Sequence, residues 1–273
     1  MDQSPDALPH RRHFEAFGDR STPLIALHGY GESGRFFYPL APVIEPHFRL
    51  IVPDLPFHGR SLWQENSYRL SDLAAMVQQW AGPAPAPLAL AGHSFGARIA
   101  LCLLPFFAPR LQRVLLINPD GFRTRWLPLL AKLPPPLRER LLRWTDPPEK
   151  LLQWARHLHR LKLIDAFALQ FLQYHLSGQE RRQRLSGTWR SLPDLQPDLQ
   201  AVRRAIERHD LTVDLLFGRH DDLVSEKTAR RALQGLPGVH FHHIDDGHRP
   251  DPEQLAEWLG GLDLGSLLPS TKR

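Results

Sequence analysis

The chain has 273 residues, 42% hydrophobic and 23% charged, a balance that fits one globular domain or a core carrying an insertion. A net charge of +5 with no long basic run argues against a dedicated nucleic-acid surface, and no apolar run approaches the roughly 20 residues of a membrane helix. Met1–Arg12 is polar and lacks the apolar stretch of a secretory signal; with a single cysteine, Cys102, the expected setting is the reducing cytoplasm, the thiol being a buried structural one.

In chain order, apolar runs at 24–27, 49–52, 88–91, 114–117, 213–217 and 239–244 predict buried strands. Segments at 71–80, 97–107, 199–208, 225–234 and 252–259 carry apolar residues at helical spacing. Strands alternating with helices predict a mostly parallel sheet covered on both faces, with its chemistry at the carboxyl ends of the strands. The alternation breaks between about 122 and 195. That stretch holds Trp126, Trp144, Trp154 and Trp189 and many arginines, with helical spacing over 151–161 and 163–176. It reads as a helical insertion closing over the site as a cap or lid, dividing the core into 1–121 and 196–273 around a cap at 122–195. The densest basic cluster, Arg181-Arg182-Gln183-Arg184, is a solvated helix face or part of a site for acidic substrates.

The most informative stretch is Gly92-His93-Ser94-Phe95-Gly96. It spells G-x-S-x-G between a predicted strand and a predicted helix, the setting of a nucleophile elbow. Alone, the pentapeptide arises by chance in roughly one chain in ten of this length. A serine hydroxyl is a weak nucleophile, so it needs a base and a group to orient that base. Asp221 lies just beyond the strand at 213–217, and His248 just beyond the strand at 239–244. Asp222 and Asp120 rival Asp221 as the acid. Asp245 and Asp246, too close to His248 in sequence to orient it, are expected to face solvent. His242 and His243 alternate on a strand and read as structural. Nothing in the histidine spacing suggests a metal site, and the chemistry requires no cofactor.

With His28-Gly29-Tyr30 upstream and Asp54–Ser61 between, the chain resembles the α/β-hydrolase fold superfamily, in its capped esterase and C–C hydrolase branch. The resemblance covers about 24–259. It implies an α/β-hydrolase fold with a helical cap inserted after the strand at 113–118, and a triad of Ser94, His248 and Asp221. It also implies an oxyanion hole from the backbone N–H groups of Tyr30 and Phe95. Gly29, His93 and Arg98 are the expected substrate-binding residues; Arg98 stands one helical turn past Ser94, where a lyase branch of the fold has an arginine that anchors a substrate carboxylate. Asp54–Ser61 reads as a polar turn pinning a loop beside the site, with Phe57 where the family commonly has glycine. The implied function is hydrolysis of a small or medium acyl compound, most naturally a carboxylic ester; the basic insertion also suits an anionic substrate. The alternatives are C–C hydrolysis or elimination on an acidic substrate, and a non-catalytic ligand-binding protein. Haloalkane dehalogenases and epoxide hydrolases of this fold use an aspartate where this chain has Ser94.

Overall fold

The computed structural model describes residues 10–122 and 133–264; Trp126 and the first part of the insertion lie outside the described residues. The principal sheet has seven strands in the order β2-β4-β3-β6-β7-β8-β9. These are β2 (Phe14–Phe17), β3 (Pro23–Leu27), β4 (Arg49–Pro53), β6 (Leu88–His93), β7 (Leu111–Ile117), β8 (Thr212–Gly218) and β9 (Val239–Ile244). All neighbours run parallel except β2, which pairs antiparallel with β4 at the edge. Two short strands, β1 (His10–Arg11) and β5 (Leu62–Trp63), form a separate ribbon.

The six parallel strands match the apolar runs of the sequence to within a few residues. β2 escaped that reading because Phe-Glu-Ala-Phe is short and half-exposed, with no apolar run to mark it. Side chains of the parallel strands alternate between two cores. Ile25, Leu27, Ile51, Leu90, Val114, Leu116 and Leu215 face one side, and Leu24, Ala26, Leu50, Val52, Ala91, Leu115 and Leu216 the other. Each large side chain so buried contributes about 1.5–3 kcal/mol, so a one-residue slip of any strand would exchange its two faces at great cost.

Helices α2 (Leu70–Ala81), α3 (Phe95–Phe107), α8 (Leu199–His209) and α9 (Glu226–Leu233) cover the first face. α1 (Ala41–Ile44), the 3-10 turn Gly34–Leu40 before it, and α10 (Pro252–Gly260) cover the second. Aspartates start two of these helices: Asp198 accepts from the N–H groups of Gln200 and Ala201, and Asp251 from that of Glu253.

Between β7 and β8 the described insertion forms four helices, α4 (Pro135–Arg143), α5 (Glu149–Arg160), α6 (Ala166–Leu176) and α7 (Gln179–Ser191). α5 and α6 correspond to the two periodic segments. α6 begins three residues later than its pattern because Asp165 caps it, accepting from Ala168 N–H. Leu142, Ala155, Leu176, Leu185 and Trp189 join the first core, so these helices pack continuously onto the sheet's cover.

Candidate active site

The elbow forms where β6 meets α3. Ser94 adopts φ 50° and ψ −111°, a conformation that L-residues rarely hold. Neighbours enforce it. A β-carbon on Gly96 would collide with the carbonyl oxygen of Leu27, so only glycine lets β3 and α3 approach this closely. Of five left-handed non-glycine residues among the described residues, three (Phe57, Ser94 and Asn118) stand at or near the carboxyl ends of the strands. Strain concentrated there fits a functional site.

The strand-end loops bring Ser94, His248 and Asp221 into one line. His248 Nε2 lies 2.8 Å from Ser94 Oγ, and His248 Nδ1 lies 2.7 Å from Asp221 Oδ2. The buried acid, its side chain 2% exposed, accepts the Nδ1 proton and leaves Nε2 free to accept from the serine. Asp221 is held in turn by the N–H groups of Leu223 and Val224, at 2.7 and 3.2 Å from its other oxygen. Such a chain can raise the nucleophilicity of a hydroxyl at neutral pH.

Leu27 of β3 stands opposite Gly92 of β6, so Tyr30 and Phe95 leave the sheet at the same edge, their rings 6.3 Å apart. The loop bearing Tyr30 is anchored beneath. His28 donates through Nδ1 to the Gly29 carbonyl at 2.8 Å and accepts at Nε2 from Leu55 N–H at 3.0 Å. Complete burial holds its ring below the ordinary histidine value and therefore neutral. Asp54 binds the N–H groups of Gly34 and Arg60, both at 2.8 Å, so the Asp54–Ser61 turn is pinned as its polarity suggested. Phe57 takes φ 65° in that turn, and its ring fills the space above Gly187 of α7. Arg184 of the same helix donates to the Phe57 carbonyl.

The other expected substrate-binding residues, Arg98, Gly29 and His93, are engaged by protein partners. Arg98 does not reach toward the serine. Its side chain is 3% exposed and grips Asp120 with two hydrogen bonds, Nε to Oδ2 at 2.8 Å and Nη2 to Oδ1 at 2.9 Å. Its Nη1 reaches the Leu195 carbonyl and the Gln196 side chain where the insertion rejoins the core. Asp120 is thereby engaged away from His248, and Asp222 is exposed. Gly29 gives its N–H to Glu32, and His93 is enclosed between Glu32 and the His248 carbonyl. Asp245 is exposed, as expected. Asp246 is not a free solvent carboxylate: it braces the histidine loop by accepting from Gly247 and Asp251 N–H. His242 and His243 pair with Asp214 and Glu226. Cys102 is buried, which pushes its thiol up to about 12 and keeps it protonated.

Sequence reasoning missed Asn118 and Glu32. Asn118 Oδ1 accepts from Gly218 N–H at 2.8 Å, and its Nδ2 donates to the carbonyls of Gly247 and His248 at 3.0 and 2.9 Å. One side chain thus ties the acid's loop to the base's loop. The available signal was an asparagine before a proline at the end of a strand, a place that tolerates left-handed backbone. Glu32 offered only a carboxylate three residues after His28-Gly29. No group of three metal-binding side chains occurs among the described residues.

Residues 22–251 match the alpha/beta hydrolase fold family. Over 262 residues the chain is 29% identical to a "Magnesium-chelatase 30 kDa subunit" of Rhodobacter capsulatus, covering 89% of this chain and 86% of that protein. It is 34% identical over 83 residues to a pimeloyl-[acyl-carrier protein] methyl ester esterase of Yersinia pestis, covering 30% of this chain and 31% of that protein. Among solved structures it resembles the enol-lactonase of Burkholderia xenovorans LB400, with a TM-score of 0.62 at 18% identity, over 91% of this chain and 93% of that one.

Proposed function

The chain belongs to the α/β-hydrolase family and is a hydrolase; from that premise, we propose that it is a serine hydrolase of carboxylic esters with a small or medium acyl group. The observation that carries this reading is the unbroken hydrogen-bonded line Ser94–His248–Asp221. In the proposed reaction Ser94 Oγ attacks the ester carbonyl while His248 Nε2 takes its proton. Asp221 holds the imidazole in the required tautomer and offsets its charge. The N–H groups of Tyr30 and Phe95 receive the developing oxyanion, a contribution of about 3–4 kcal/mol for each such donor. His248 then returns the proton to the leaving alcohol. Water, activated by the same histidine, cleaves the acyl-enzyme and regenerates Ser94.

The four helices of the insertion act as a cap that shapes the pocket. The buried Arg98–Asp120 pair weakens the case for C–C hydrolysis or elimination with Arg98 as anchor, because that guanidinium is already neutralised. A groove of about 870 Å³ includes Arg35, Arg184 and Arg249 in its lining, but Ser94, His248 and Asp221 do not line it and Arg249 already pairs with Glu32, so it adds no support for an anionic substrate.

The test is hydrolysis of p-nitrophenyl esters of rising acyl length, with and without a terminal carboxylate. Turnover is expected in the purified chain. Ser94→Ala is expected to lose kcat/KM by at least about 10³-fold while remaining folded. Equal turnover in the variant would remove the assignment.

A further inference from the structure

His93 lies inside the elbow yet takes no part in the chemistry proposed above. Its ring is 2% exposed, and each nitrogen faces an acceptor. Nε2 lies 2.9 Å from the carbonyl oxygen of His248, which can only accept. Nδ1 lies 2.9 Å from Glu32 Oε2. That carboxylate already accepts from Gly29 N–H at 2.9 Å on the same oxygen, and Arg249 Nε stands 3.3 Å from its other oxygen. Three donors around one carboxylate favour its ionised form. A neutral imidazole has one N–H and can satisfy one of these two oxygens, whereas an imidazolium satisfies both. The ring also stacks on Phe36, with centroids 4.3 Å apart and planes within 9°, and an aromatic face favours a cation.

We propose that His93 is held as a buried imidazolium, paired with Glu32, and that it is a positioning residue for His248. The resulting bridge runs from the oxyanion loop at Gly29, through Glu32 and His93, to the backbone of the catalytic base. A β-carbon at Gly29 would come within 2.9 Å of the Glu32 carboxylate and of His93 Nδ1, so a larger residue there would displace the bridge. The His248 carbonyl receives a second bond from Asn118, so both of its lone pairs are committed and the loop bearing the base is fixed. The other titratable groups around His93 are His28 at the end of β3, Arg249 behind Glu32, and the His248–Asp221 pair, whose ring centroid lies 5.5 Å away. Paired with the ionised Glu32 at 2.9 Å, His93 forms a unit with no net charge of its own.

The positioning role rests on the triad reading; the charge state does not, so the two are tested separately. Nitrogen-15 NMR of the full chain at about pH 8, above the ordinary histidine value, reads the ring directly, with His93→Gln identifying its signals. Both ring nitrogens are expected in the protonated range. Glu32→Gln, which keeps the shape and removes the charge, is expected to convert the ring to a neutral tautomer and provides the readout should His93→Gln fail to fold. A neutral His93 in the unaltered chain, or a charged one that survives Glu32→Gln, would overturn the assignment. In p-nitrophenyl acetate hydrolysis, His93→Gln is expected to lower kcat about tenfold with little change in KM. An unchanged kcat in His93→Gln, or a loss carried by KM instead, would contradict the positioning role. If fluorophosphonate fails to label Ser94 while the NMR shows an imidazolium, it is the triad reading that fails.

Discussion

The strand ends and the helices above them differ in how their side chains are held. Around the elbow, polar side chains are committed: Asp54, Asn118, Asp221, Asp246 and His93 each make two or more hydrogen bonds. In the insertion, His175 Nδ1 and Arg138 Nε are buried without a hydrogen-bond partner among the described residues, as are Tyr30 Oη and His58 Nε2 at the strand ends. Trp154, Phe167 and Tyr174 stand exposed on α5 and α6, and Leu161 and Leu163 in the turn between those helices. On the proposed function, the strand ends are a floor that holds the reaction geometry and the insertion is a roof that selects the substrate.

Breaking the floor is expected to have the largest effect. Asp221→Asn keeps the shape but lets the amide favour the wrong tautomer of His248, and kcat is expected to fall by about 10³–10⁴-fold with the fold intact, as read by steady-state kinetics and circular dichroism. Arg98→Ala tests whether the arginine beside the elbow belongs to the floor. Removing it strands Asp120 as a buried unpaired charge, so unfolding free energy is expected to drop by about 3–5 kcal/mol in denaturant melts. Turnover of neutral and carboxylate-bearing esters should then fall alike; selective loss of the latter would restore the anchor role.

The roof responds more gently, beginning with pH. Burial, reinforced by Arg184 and Arg181, pulls the His175 imidazole down to about 4, below its ordinary 6.5. Its unfolded form therefore takes up a proton over a range where the folded form does not. Stability is full above about pH 6.5 and declines as pH falls toward about 4. His175→Gln is expected to flatten that part of the Tm-against-pH curve; an unchanged slope would show that the histidine does not set it. The smallest effect belongs to Phe167→Ala on α6. Its exposed ring adds little to stability, so Tm should stay within a few degrees, while KM for long-chain esters shifts about two- to threefold relative to short ones.

The same contrast explains how far the sequence could be read. The parallel strands were legible because burial on both faces leaves continuous apolar runs such as Leu88-Ala-Leu-Ala91. That Ser94, Asp221 and His248 come together was legible because each follows such a run, at a strand end. What Arg98 meets was not legible, because one helical turn from Ser94 states where a side chain begins and nothing more. Its partner Asp120 comes from the end of β7, 22 residues away. Asn118 and His93 act on partners 129 to 155 residues distant, and no local motif encodes such a pairing. Phe57 looked like a departure from the family pattern. Its meaning appears only with Gly187, 130 positions later in the chain, which leaves room for its ring.

The central claim is that Ser94 is a nucleophile activated by His248. The most direct measurement is reaction of the full chain with a fluorophosphonate, followed by peptide mass spectrometry. The account expects one adduct, on Ser94, absent from Ser94→Ala and strongly slowed in His248→Ala. An adduct on another residue, or labelling that persists undiminished in Ser94→Ala, would contradict it.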